Sequence, residues 1–158
     1  MKLWVDTSGF VATWVAHRIP DMLDHTFGPH WATGVISDDK MIAGCVYHNY
    51  YPKYRCVDIS FAAESPKWMT RNIVHDLLAG AFYGMDVNRI SMVTTTDATR
   101  TRKILEGLGM TLECAEAKEY FGDKDAVLYR LLRREWEAGR WFMKERPHGQ
   151  KVIASGTH

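Results

Sequence analysis

The chain has 158 residues, 46% of them hydrophobic and 25% charged, the composition of one soluble globular domain large enough to bury a core. Twenty basic side chains against 19 acidic ones leave a net charge of +1, which gives no global electrostatic case for nucleic acid or a membrane surface. Cys45, Cys56 and Cys114 are odd in number and far apart, so they form neither a disulfide framework nor a zinc spacing. They read as small buried hydrophobes in a reducing compartment. Only a few apolar residues separate Lys2 from Asp6, which argues against a signal peptide. No apolar run approaches the roughly 18 residues of a membrane span. A cytoplasmic location is the expectation.

In chain order, Asp6-Thr7-Ser8-Gly9 supplies capping chemistry ahead of Phe10, Val11, Trp14 and Val15, spaced as one helical face. Pro20 restarts the chain as a second short helix, expected to end near Gly28-Pro29. Two strands follow as a hairpin, Ala32 to Ser37 and Met41 to Tyr50, turning at Asp38-Asp39-Lys40. Cys56 to Ala63 is a third strand, with Val57, Ile59 and Phe61 on one face and Asp58 and Ser60 on the other.

Residues 67–83 read as a long helix with a stripe of Met69, Ile73, Leu77 and Ala81, flanked by Val74, Leu78 and Phe82 and stopped by Gly84. Asn88 to Thr96 is a β-branched strand. Asp97 is expected to cap a helix with Ile104, Leu105 and Leu108 inside and Gly109 at its end. Thr111 to Glu116 and Ala126 to Leu132 are the last strands, and a helix is expected from Arg133 to about Glu145. Residues 147–158 are polar, without period, and read as a frayed tail after a single domain spanning 1–146. This order predicts an α/β fold with one mixed sheet. Trp136, Trp141 and Phe142 lie in a polar stretch, where they serve either the core or a partner.

The turn from Lys67 to Asn72 is the best phosphate site in the chain, since a helix N-terminus presents unpaired N–H groups and a positive dipole end. The ordinary alternative is a helix that simply begins with basic residues. Seven histidines are present, but none sits in a metal motif such as His-Glu-x-x-His.

Pro66, Trp68, Thr70 and Arg71 match a Pro-x-Trp-x-Thr/Ser-Arg turn. Ala81-Phe82, Asn88-Arg89-Ile90, Leu108-Gly109-Met110 and the run Tyr129 to Trp136 follow it in order. Together, over residues 30–136, these resemble a small subgroup of the GNAT superfamily of N-acetyltransferases. The resemblance implies a mixed, mostly antiparallel sheet flanked by helices and splayed between the Cys56–Ala63 strand and the 88–96 strand. It implies acetyl-coenzyme A as co-substrate, direct transfer to an amine of a protein or small molecule, and a homodimer as one open assembly.

On that reading Phe61, Ala62, Ala63, Trp68, Met69, Thr70, Arg71, Asn72, Thr101 and Arg102 would bind the coenzyme. Asp58, Glu64 and His48 are the candidate bases, each also readable as an ordinary surface polar group. Arg100-Thr101-Arg102-Lys103 fits the mouth of a coenzyme site or a solvated helix face. The chain departs from the superfamily twice. Ala98 stands where many members carry Asn, and Leu105 stands where many carry a tyrosine acid; Tyr120 and Tyr129 are the remaining phenols in that region. A non-catalytic GNAT-fold binding or assembly module is the alternative, and a nucleic-acid module is a further rival disfavoured by charge.

Overall fold

A computed structural model of the chain describes residues 1–20 and 27–146. The expected second short helix falls largely on 21–26 and the expected tail on 147–158, both outside the described residues.

Among the described residues, seven strands form one sheet: β1 (Lys2–Asp6), β2 (His30–Ser37), β3 (Lys40–Tyr51), β4 (Cys56–Ala63), β5 (Arg89–Thr95), β6 (Thr111–Phe121) and β7 (Lys124–Leu132). Their spatial order is β1-β2-β3-β4-β5-β7-β6. Every neighbouring pair is antiparallel except β4 and β5, so the sheet is mixed and mostly antiparallel, as the sequence predicts. Asp38 and Asp39 both have positive φ, the two-residue turn that matches strand twist in a hairpin.

Helix α1 (Phe10–Ala16) packs on one face of β2 to β4. Its buried side is Val11, Ala12, Val15 and Ala16, while Phe10 is exposed. Helices α2 (Arg71–Ala79), α3 (Thr99–Gly107) and α4 (Arg133–Glu137) pack on the other face. There Ile73, Val74, Leu77, Leu78 and Leu105 meet Tyr47, Val57, Ile90, Val127 and Leu131. Trp136 is buried and stacks on Phe82 with ring centroids 5.1 Å apart, so it belongs to the core.

Three expectations need correction, and one element lies where the sequence reading named none. Lys2–Asp6 is a strand, too short for a pattern to show and paired only along one edge. The helix expected over 67–83 is three pieces: a 3₁₀ turn at Pro66–Trp68, α2, and a π turn at Gly80–Gly84 where Met85 N–H reaches the Gly80 carbonyl. Thr70 is the cap of α2, its hydroxyl accepting from Ile73 N–H at 3.3 Å. Asp97 does not cap α3; the cap position is Ala98, and the Asp97 carboxylate instead accepts from the Thr95 hydroxyl at 2.7 Å. The last helix stops at Glu137 rather than near Glu145. The chain beyond it, through Arg146, becomes a strap of successive turns, whose backbone is bound by side chains of α2.

Candidate functional site

The parallel ladder between β4 and β5 holds only three residue pairs, Cys56↔Arg89, Val57↔Ile90 and Asp58↔Ser91. Beyond Asp58 the strands part. β4 continues to Ala63 against β3, and β5 continues to Thr95 against β7. The β4 edge from Ile59 to Ala63 therefore faces the gap with no ladder partner among the described residues, a row of backbone donors and acceptors open to a ligand amide. A cavity of about 1120 Å³ occupies the gap, just above the usual range of small-molecule sites.

The lining residues come from both faces of the sheet. On the α2 side they include Phe61, Trp68, Met69, Ile104, Leu105 and Leu108. Phe61 and Trp68 pack ring to ring with centroids 4.3 Å apart. On the α1 side they include Arg18, Phe27, His48, Asp58, Ser60 and Glu64, with Tyr120, Phe121 and Lys124 contributed by the β6–β7 hairpin. One half of the cavity is thus largely apolar and the other polar.

His48 and Asp58 are cross-strand partners on the α1 face. His48 Nε2 lies 2.9 Å from the Ser60 hydroxyl, and its ring packs against Phe27 with centroids 5.0 Å apart. Burial pushes the His48 pKa below its usual 6.5; the Asp58 charge opposes this and His30 adds to it. A neutral imidazole at neutral pH is the form that can accept a proton. The Asp58 carboxylate accepts from the Asn49 amide at 3.0 Å.

Glu64 sits at the other end of β4 in a different environment. Its carboxylate accepts two bonds from Arg18, at 2.5 and 3.2 Å, with Lys40 Nζ at 3.8 Å. The Arg18 hydrogen bond holds its pKa below the usual carboxylate range, and the Arg18 and Lys40 charges add to that. Arg18 itself lies 3.6 Å over the Trp14 ring and donates to the Trp14 carbonyl. These contacts hold Glu64 as an anion.

Phe61, Ala62, Ala63, Trp68, Met69 and Thr101 line the cavity; Thr70, Arg71, Asn72 and Arg102 do not. The Arg71 and Asn72 N–H groups open α2, where helix geometry supplies no carbonyl for them. The Arg71 side chain donates to the carbonyls of Arg140 and Phe142. Arg102 donates to the Thr96 carbonyl at 3.0 Å and to the Tyr129 hydroxyl at 3.3 Å. Tyr129 in turn donates to Glu106 and is buried away from the cavity. Tyr120 is 52% exposed and lines it.

Sequence reasoning named Ser60 only as a strand-face residue and passed over Arg18 and Phe27. Arg18 meets Glu64 across 46 positions of sequence, and no local pattern reports such a pair.

No family model matches the chain, and no curated protein sequence matches it. Solved structures do. A chimera of the spermidine N-acetyltransferase SpeG from Vibrio cholerae and hSSAT superposes with a TM-score of 0.72 at 12% identity, over 86% of this chain and 99% of that one. A probable acetyltransferase gives 0.60 at 22% identity over 69% of this chain. A putative acetyltransferase gives 0.61 at 17% identity over 69%. The chain spans 65% and 62% of the lengths of those last two proteins. Identities this low establish fold and not chemistry: the chain has the fold of the GNAT N-acetyltransferases.

Proposed function

We propose that the chain is an acyl-coenzyme A-dependent N-acetyltransferase that passes acetyl directly to an amine of a protein or small molecule. The observation that carries this reading is the parting of β4 from β5 after Asp58 beside the first turn of α2. An unpaired strand edge suits the amides of a pantetheine arm, and a helix start suits its pyrophosphate. The Pro66-Trp68-Thr70-Arg71 turn, matched to one GNAT subgroup, supports it. Acetyl-coenzyme A, as co-substrate, supplies a thioester carbonyl open to nucleophilic attack.

In this reading the backbone of Phe61, Ala62 and Ala63 holds the pantetheine amides, and Trp68 and Met69 wall the apolar half. The N–H groups of Arg71 and Asn72 receive the pyrophosphate, with Thr70 fixing the turn and the Arg71 charge close by. Thr101 and Arg102 stand nearest the nucleotide. His48, neutral because it is buried, is the base for the attacking amine, and Asp58 stabilises the imidazolium that forms. Glu64 gives the acceptor half an anion that attracts a cationic amine. Tyr120, a phenol that lines the cavity, is in this reading the acid for the departing thiolate, because Leu105 cannot donate a proton.

Two measurements test this on the full chain: calorimetry with acetyl-coenzyme A, and acetyl transfer to spermidine, a lysine peptide and a simple alkylamine. A heat of binding with acetylated product is the expected result. A protein that does not bind the coenzyme overturns it. One observation favours a second reading, a non-catalytic binding module: Arg71 and Arg102 both spend donors on internal carbonyls. Binding without turnover across the amines would support that module.

A further inference from the structure

We propose that Ser60 is a proton relay, its hydroxyl carrying the proton from the attacking amine to His48. The relay rests on the transferase reading above.

Position is the first ground. His48 lies on β3, one strand back from the gap, opposite Asp58, which belongs to the last residue pair that still joins β4 to β5. Neighbouring strands are about 4.8 Å apart, so His48 is set back by that much from the edge where the thioester carbonyl would lie. Ser60 is two residues further along β4, past the point where the strands part, and on the same sheet face as His48 and Asp58. The 2.9 Å contact of its hydroxyl with His48 Nε2 spans the intervening distance. Both residues line the cavity.

Chemistry is the second ground. On the α1 face of β4, the residues at the opening are Asp58, Ser60 and Ala62. Ser60 alone of these can accept and donate at one atom. Its hydroxyl gives a proton to Nε2 only if that nitrogen is bare, which places the ring proton on Nδ1. The titratable groups around His48 are Asp58 on β4 and His30 on β2; Phe27 packs on the ring.

The step balances. The neutral amine forms the C–N bond to the carbonyl carbon, the C–S bond breaks, and its electron pair leaves on sulfur. The extra proton on nitrogen goes to Ser60 Oγ as the hydroxyl proton passes to Nε2. The imidazolium then gives its proton to water, and Tyr120, having protonated the thiolate, takes one back from water.

The test compares the parent, Ser60→Ala, Ser60→Thr, His48→Gln and the Ser60→Ala/His48→Gln double variant, with acetyl-coenzyme A and spermidine or whichever tested amine the parent acetylates. Ser60→Ala should lower kcat by about 10²-fold, the lower end for general base catalysis, with KM for the coenzyme unchanged. The acidic limb of its pH profile, which reports His48, should vanish. The double variant should be no slower than Ser60→Ala, and Ser60→Thr should recover most of the rate. Long-range ¹H–¹⁵N spectra of the parent should show the Nδ1–H tautomer.

Turnover and pH profile unchanged in Ser60→Ala overturn the relay and leave the transferase reading standing. An Nε2–H tautomer in the parent also overturns it. Acetylated protein accumulating without amine would make Ser60 the nucleophile and overturn it as well. A parent that acetylates none of the amines overturns the transferase reading itself, and the relay with it.

Discussion

Arg71, in the first turn of α2, donates from Nε to the backbone carbonyl of Arg140 at 2.9 Å. A second donor of the same guanidinium reaches the Phe142 carbonyl at 3.0 Å. Further bonds hold the same strap. Met143 N–H donates to His75 Nδ1 at 3.0 Å, Trp141 Nε1 donates to the Gly107 carbonyl at 2.8 Å, and Arg146 makes two 2.6 Å bonds to Asp76. The strap thereby ties the start of α2 to the end of α3, the two elements that flank the apolar half of the cavity.

If the proposed function holds, Arg71 has two tasks, and two variants separate them. Arg71→Ala should cost about 1 kcal/mol, the net worth of ordinary hydrogen bonds at an exposed site, and speed amide exchange over 139–146. It should also weaken acetyl-coenzyme A roughly tenfold, as loss of a charge-assisted phosphate contact would. Asp76→Ala should loosen the same strap from its far end and leave coenzyme affinity as it was. Equal affinity losses in both variants would mean that the strap shapes the site and Arg71 touches no phosphate.

Leu105 is 2% exposed and also borders the cavity. Those two facts combine into one expectation for Leu105→Tyr. Overpacking a core position costs about 1–3 kcal/mol, yet the larger ring has the cavity to extend into. The variant should fold with a lowered melting temperature and, if the coenzyme sulfur lies where the proposed function puts it, turn over faster than the parent, since it adds a second acid beside Tyr120. Tyr120→Phe in the parent should slow turnover by about 10²-fold. A parent rate that Tyr120→Phe does not alter would take Tyr120 out of the mechanism.

The strands from 30 to 63 were legible because their alternation was regular: Val57, Ile59 and Phe61 do face α2, and Asp58 and Ser60 do face the other way. The apolar stripe through α2 and the π turn after it was equally plain, since Ile73, Leu77 and Ala81 are all buried. What stayed hidden depended on contacts distant in sequence. The end of α4 is set by Arg71 and Asp76 binding a strap some 70 residues later. Ser60 gained meaning only when β3 brought His48 to within 2.9 Å. Asp97 misled because Asp before a helix usually caps it, whereas here Thr95 binds its carboxylate first.

Gly44 on β3 lies under α1. A Cβ there would stand 2.7 Å from Val15 Cγ2 and 3.1 Å from Val11 Cγ1. Both valines are fully buried, so neither can swing away, and α1 must lift from the sheet. Gly44→Ala should lower stability by about 1–3 kcal/mol in urea unfolding. Because α1 carries Trp14 and, just beyond it, Arg18, the variant should also weaken the hold on Glu64. An undiminished urea midpoint would show that the helix rides further from β3.

Asp6, at the end of β1, anchors the other end of α1. Its carboxylate accepts from Ser8 N–H at 2.9 Å, the Ser8 hydroxyl at 2.6 Å and Val11 N–H at 2.7 Å. Burial works to raise its pKa, but these three bonds outweigh burial and set it below the usual 3.8. A carboxylate whose pKa is lower folded than unfolded adds stability that is fully present well above 3.8. That contribution disappears as the pH falls through the folded value, because the unfolded chain binds the proton first. Asp6→Ala removes the acceptor and leaves the buried Val11 N–H unsatisfied, which costs about 1–3 kcal/mol at neutral pH. Urea unfolding at neutral pH and again below 3.8 should therefore show a wide gap between parent and variant that narrows in acid. A gap of the same width at both acidities would mean that the Asp6 charge contributes nothing and that only the shape of the turn matters.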